Sequence, residues 1–141
     1  MNREELKQYM AHREPMLLVD EAELVSPTET VAHYTITGEE FFLNGHFPGN
    51  PIVPGVILCE MMAQGSVMLF KDELLTHLAL YVGIDKVKFK RSVLPGDTVE
   101  VNSKTVTKRG PLIIVDAQAT VEGQLCCKGT LSFMLVKKEA K

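Results

Sequence analysis

Two side chains near the middle of the chain have the makings of an acid–base pair. His46 opens the run His46-Phe47-Pro48-Gly49-Asn50-Pro51-Ile52-Val53-Pro54-Gly55, and Glu60 stands in the apolar run that follows. A histidine close to its ordinary pKa has both protonation states within reach of neutrality, so His46 can serve as a base. A carboxyl set among Ile57, Leu58, Met61 and Ala63 is expected to be pushed upward by burial, to stay protonated and to serve as an acid, directly or through a water. Gly55 would open a helix, where free N–H groups and the positive end of the helix dipole suit an oxygen that gathers negative charge. Gln64, four residues after Glu60, falls on the same helix face and is placed to orient Glu60 or a water. Each residue also has a plainer reading: a loop histidine, a solvent-facing glutamate, a Pro-Gly helix start. The residues alone leave both open.

The elements that must position these groups follow from pattern. Pro48, Gly49, Pro51, Pro54 and Gly55 are too many breakers for a helix or a central strand, so residues 46–55 read as a stiff loop. Val56 to Phe70 is almost wholly apolar, too short to span a bilayer, and reads as a buried core helix running to about Lys71. Before the loop, Asn2 with Glu5 predicts a capped helix over 2–9, backed by Leu6, Tyr9 and Met10. Pro15 bars its continuation. Met16–Val25 and Glu29–Thr37 read as two strands of a hairpin around Ser26-Pro27-Thr28. Phe41, Phe42 and Leu43 supply apolar weight under the loop, and residues 72–77 read as a connector.

Four further strands follow: Leu80–Arg91, Thr98–Lys108, Leu112–Glu122 and Leu125–Val136, with turns at Pro95-Gly96-Asp97, Arg109-Gly110-Pro111 and Gly123. In Leu80–Arg91, alternation puts Val87 and Phe89 on one side and Lys86, Lys88 and Lys90 on the other. Residues 137–141 are a charged tail. One apolar helix and one antiparallel sheet satisfy each other by packing together, so the expected fold is α+β, a curved sheet wrapped around a central helix in a single domain over 1–141. The sheet edge left over is a natural pairing surface for a second copy.

Composition narrows the classes. The chain has 141 residues, 45% of them hydrophobic and 23% charged, with a net charge of −3. That is the profile of a globular domain and gives no argument for nucleic acid or an anionic membrane. The start, Met1-Asn2-Arg3-Glu4-Glu5, lacks a signal-peptide core. Cys59, Cys126 and Cys127 are neither a disulfide framework nor a zinc spacing and are read as reduced core or strand residues, which suits the cytoplasm. His12, His33 and His77 are read as structural or surface residues. No metal, nucleotide or flavin motif appears.

The stretch from His46 to Gln64 resembles the signature of the 3-hydroxyacyl-[acyl-carrier-protein] dehydratases of type II fatty acid synthesis, in the FabZ-type branch. His12-Arg13 through Leu17-Leu18-Val19-Asp20, and Gly83 to Arg91 followed by Pro95-Gly96-Asp97, resemble the family's flanking blocks, so the likeness covers roughly 11–136. Val53 and Met16 depart from common family residues without touching the chemistry. Glu60 stands where the isomerising FabA-type branch has aspartate.

The resemblance implies the hot-dog fold and dehydration of a (3R)-3-hydroxyacyl thioester to the trans-2-enoyl thioester. It assigns His46 as base, Glu60 as acid and the Gly55 amide as donor to the thioester carbonyl. It places His46 opposite Glu60 of a second chain in a homodimer, itself one of three in a trimer of dimers. Phe42, Phe47, Met61, Met62, Met68, Phe70 and Phe89 supply candidates for an acyl tunnel, and Tyr81 for its aromatic gate. The partner implied is an acyl carrier protein, and Lys86, Lys88, Lys90, Arg91, Lys108 and Arg109 are candidates to meet its acidic surface. A thioesterase, a dehydratase-isomerase and a non-catalytic carrier-binding subunit stand as alternatives.

Overall fold

A computed structural model describes residues 1–44 and 49–139. Six antiparallel strands, β1 (Glu21–Ser26), β2 (Glu29–Thr35), β3 (His77–Phe89), β4 (Thr98–Arg109), β5 (Leu112–Val121) and β6 (Gln124–Lys137), form one sheet in the order β1-β2-β4-β5-β6-β3. Their turns follow local chemistry. Asp97 Oδ2 accepts the Leu94 amide at 2.9 Å to close the turn before β4. Between β5 and β6, Val121 pairs with Gln124 across two residues, Glu122 at φ 50° and Gly123 at φ 78°. Two positive φ values in a two-residue hairpin are the demand of a type I′ turn, met here by one glycine and one glutamate.

Helix α1 (Arg3–Leu6) carries the expected capping box between Asn2 and Glu5, though it is shorter than the pattern suggests. Helix α2 (Gly55–Gly65) packs on the inner face of β2, β4, β5 and β6. Leu58, Met61 and Met62 from the helix meet a buried set that includes Val99, Val101, Ile113, Val115, Leu131 and Phe133. Close approach depends on Gly65: a Cβ there would stand 2.8 Å from Val101 Cγ1 and 3.3 Å from Ala32 Cβ.

The helix ends earlier than its apolar run. Ser66 Oγ donates to the Met62 carbonyl at 2.7 Å and shares a 2.7 Å hydrogen bond with the Ser103 hydroxyl of β4. A serine that satisfies its hydroxyl on its own helix and anchors it in the sheet favours a stop. Val67–Phe70 and Glu73–Leu75 continue as separate 3-10 turns. Nor is the helix buried all round, since Val56 is 74% exposed.

Two other expectations change. Met16–Val19 is not part of β1. Leu17, Leu18 and Val19 are buried, but side chains take their backbone groups. Arg3 donates to the Leu17 carbonyl at 2.7 Å and the Val19 carbonyl at 2.9 Å, and Gln64 takes the Leu18 amide. The segment is a strap laid across the end of the core. In β3, the register slips between Asp85 and Lys88 opposite Gly129, and Lys86 sits at φ 54°. This bulge breaks the alternation that would set Lys86, Lys88 and Lys90 on one face.

Candidate active site

Glu60 is positioned by the middle of α2, half-buried in the wall of a cavity of about 100 Å³. Its neighbours in that wall include Ala63, Val67, Phe70, Leu74, Tyr81 and Phe133, so the surroundings are largely apolar. Gln64, one turn on, is 1% exposed and uses both ends of its amide. Its Nε2 donates to Glu60 Oε2 at 2.8 Å and to the Met16 carbonyl at 2.8 Å, while its Oε1 accepts the Leu18 amide at 2.7 Å. The backbone donor at Leu18 and the backbone acceptor at Met16 leave only one orientation for the amide. Gln64 therefore presents an N–H to the carboxylate and ties α2 to the strap.

The second partner of Glu60 is His12, at the head of the strap, with Nε2 3.4 Å from the same Oε2. His12 lines the cavity with Glu60, and its Nδ1 is buried without a hydrogen-bond partner among the described residues. Sequence reasoning placed His12 among structural or surface histidines. Its spacing does not mark it, because the contact spans 48 residues of chain; the one signal is that His12-Arg13 opens a block resembling the family.

These partners reverse the expected direction of the Glu60 pKa. Burial pushes the carboxyl up, as its apolar neighbours suggest, but hydrogen bonds from His12 and Gln64 and the charge of His12 outweigh it and hold the carboxyl below its ordinary value. The sequence could show the apolar helix but not the two donors facing it.

Tyr81 enters the cavity from β3. Its hydroxyl donates to the Cys59 carbonyl at 2.8 Å and its ring stacks on Phe133 with centroids 5.2 Å apart. Burial pushes the phenol well up, so it stays a donor. Cys59, Cys126 and Cys127 are free and buried. Contact with Cys59, then burial, push the Cys127 thiol up.

Gly55 lies in a groove at the start of α2 with Leu58, Phe89, Lys90 and Arg91. Among the described residues no acceptor takes its amide. Its Cα lies so close to Phe89 that a Cβ would stand 2.8 Å from Phe89 Cε1. His46 and Phe47 lie outside the described residues. Of the tunnel candidates, Phe42, Met61, Met62, Met68 and Phe70 are buried, only Phe70 of them reaches the cavity at Glu60, and Phe89 is largely exposed beside Gly55. Lys86, Lys88 and Lys90 are exposed, whereas Lys108 is engaged by Glu73. Among the described residues no cluster of three His, Cys, Asp or Glu is placed to hold a metal, and no helix is long and apolar enough to cross a membrane.

A model of the FabA-like domain matches residues 10–130. The chain belongs to the FabA-like family. Relatives that it resembles there include FabZ dehydratases. It is 46% identical over 132 residues to the 3-hydroxyacyl-[acyl-carrier-protein] dehydratase FabZ of Streptococcus sanguinis, covering 92% of this chain and 94% of that one. It is 42% identical over 139 residues to FabZ of Lactococcus lactis subsp. cremoris, covering 97% and 96%. Among solved structures, the dehydratase heterocomplex ApeI:P of Xenorhabdus doucetiae aligns with TM-score 0.79 at 19% identity, over 94% of this chain and 91% of that one. A hypothetical thioesterase with coenzyme A from Streptococcus pneumoniae TIGR4 aligns at 0.62 and 14% identity, over 85% and 89%. Likeness at that identity is one of fold, and the fold is the hot-dog fold that the resemblance implied.

Proposed function

We propose that this chain removes water from (3R)-3-hydroxyacyl-[acyl-carrier-protein] to give the trans-2-enoyl thioester, as a hydro-lyase of fatty acid synthesis. The observation that carries the reading is Glu60, a carboxyl in the wall of a largely apolar cavity, in a chain 46% identical to dehydratases named for this reaction. His46 takes the C2 proton, made acidic by the thioester carbonyl. Glu60 serves the departing hydroxyl, held in place by Gln64. The Gly55 amide receives the carbonyl oxygen, where charge develops, and the start of α2 adds its dipole. Phe47 lies beside the acyl chain, Tyr81 acts as its gate, and exposed Lys86, Lys88 and Lys90 meet the acidic carrier.

The site is completed by a second copy. β3 ends the sheet with an open edge and exposes Leu78, Leu80, Val82 and Ile84, a long apolar edge of the kind that pairs. Two β3 strands side by side make the dimer, in which the family resemblance sets His46 of one chain opposite Glu60 of the other, and three such dimers assemble in the cytoplasm as a hexamer. A single-chain mass by light scattering at working concentration would remove this assembly.

The test is turnover of 3-hydroxybutyryl-acyl carrier protein by the wild type and by folded His46→Ala and Glu60→Gln variants. Enoyl product from the wild type, with both variants slower by two or more orders of magnitude, is the expected result. Release of free acid would replace the reading with a thioesterase. A cis-3 product would make the protein a dehydratase-isomerase, and no turnover of any carrier-bound chain would leave a binding subunit.

A further inference from the structure

The reading of Glu60 as acid meets a difficulty in its own surroundings. Two groups converge on Oε2: the Gln64 amide donates a hydrogen bond at 2.8 Å, and His12 Nε2 stands 3.4 Å away, within ion-pair distance; both favour the carboxylate over the acid. A carboxylate has no proton to give. The proton must be stored beside it, and of the two neighbours, an amide and an imidazole, only the imidazole is a side chain of the kind that gains and loses one.

We propose that His12 is the positioning residue and proton store of this site, so that the acid of the reaction is the His12–Glu60 pair rather than Glu60 alone. The proposal rests on the dehydratase reading above. At rest the pair is an imidazolium against a carboxylate. As the C3–O bond breaks, the His12 Nε2 proton passes to the Glu60 carboxyl, and a carboxyl proton passes to the leaving oxygen, which departs as water. The C2–H electron pair becomes the double bond, and the C2 proton goes to the base. His12 ends neutral, Glu60 ionised and the base protonated. Transfer of one proton from the base to His12 through solvent restores the start.

Three features fit this role. Glu60 Oε1 has no hydrogen-bond partner among the described residues, which leaves it to the substrate. His12 lines the same cavity as Glu60. The chain four residues on from His12 is fixed to α2 by Gln64 at Met16 and Leu18, so the amide that orients the carboxylate also anchors the segment that follows the imidazole.

Other titratable groups face the cavity: Tyr9 from the turn after α1, and His77 and Tyr81 from β3. Cys59 is the neighbour of Glu60 on α2, with Cys127 of β6 against it. The Tyr81 phenol stays protonated through neutrality. Among the described residues His77 is the one other imidazole in the wall, its Nδ1 bonded to Thr76 Oγ1 at 2.8 Å, and it serves as control.

The experiment is the pH profile of kcat/KM for the full chain, wild type beside His12→Asn, His77→Asn and Glu60→Gln. Asparagine keeps a donor for the carboxylate but has no acid–base group to store a proton. The expected result is a loss of tenfold or more at pH 7.5 in His12→Asn, with the alkaline limb moved at least one unit down, while His77→Asn leaves the limb in place. An alkaline limb unmoved in His12→Asn overturns the proposal, however far its rate at one pH has fallen. If His12→Asn fails to fold, His12→Gly with added imidazole decides the matter. Recovery of severalfold supports the pair, and no recovery overturns it. Near wild-type turnover by Glu60→Gln would instead sink the assignment of Glu60 itself, whatever the His12 variants do.

Discussion

Replacing Gln64 with methionine should cost about 3 kcal/mol of stability, and the sum can be built bond by bond. Methionine matches the volume and keeps the apolar contacts of a side chain that is 1% exposed. What it loses is three hydrogen bonds. The Leu18 amide is buried and would be left without an acceptor, at about 1–3 kcal/mol. The bond to Glu60 reaches a charged acceptor that is still partly wetted, so about 1 kcal/mol is reasonable. The Met16 carbonyl belongs to an exposed residue, and water takes over its bond at little cost. With a urea m-value of about 2 kcal/mol per M, the unfolding midpoint should fall by about 1.5 M at fixed protein concentration.

The pH dependence sharpens this. In the wild type the Glu60 carboxyl is held below its ordinary value, so its contribution is present above the unfolded pKa and is lost as pH falls through the folded one. Gln64→Glu keeps an acceptor for Leu18 but sets two carboxylates together. Each raises the other, so its deficit should be largest at pH 8 and shrink toward pH 5, opposite to the wild-type trend. A Gln64→Met loss below 1 kcal/mol, or a Gln64→Glu deficit that grows on acidification, would refute the reasoning.

Two further outcomes are expected. Gly55→Ala should push the Phe89 ring aside and cost about 1 kcal/mol, with Phe89→Ala relieving part of that cost in the double variant; strict additivity in urea unfolding would contradict the packing. Glu122→Asn should stabilise by about 0.5–1 kcal/mol, because asparagine tolerates the positive φ of that turn better than glutamate, and an unchanged midpoint would argue against the turn type.

Much of this architecture could be read from the chain, and the exceptions share a cause. The β1–β2 hairpin, the strands after residue 77 and the start of α2 are set by turns and alternation within a few residues of themselves, and all appear. The end of α2 depends on Ser66 meeting Ser103, a contact across 37 residues. The strap at Met16–Val19 has a strand-like composition and would have made a strand had Arg3 and Gln64 not taken its backbone groups. At the site, the same-face spacing of Glu60 and Gln64 was visible, but the direction of the carboxyl pKa was not. It is settled by Gln64 together with His12, and the approach of His12 to Glu60 spans 48 residues of chain, where no spacing shows it.

The Gln64 side chain also makes the chemistry of the site audible from outside it. Its amide links the Glu60 carboxyl to the Leu18 N–H in one rigid relay with no water between. When the carboxyl gains or loses a proton, the amide is repolarised, and the Leu18 nitrogen and the Gln64 side-chain nitrogen must change resonance together. Leu18 belongs to no strand or helix, so a slowly exchanging, pH-sensitive amide there would be a native spectroscopic gauge of the carboxyl, readable without substrate, label or mutation.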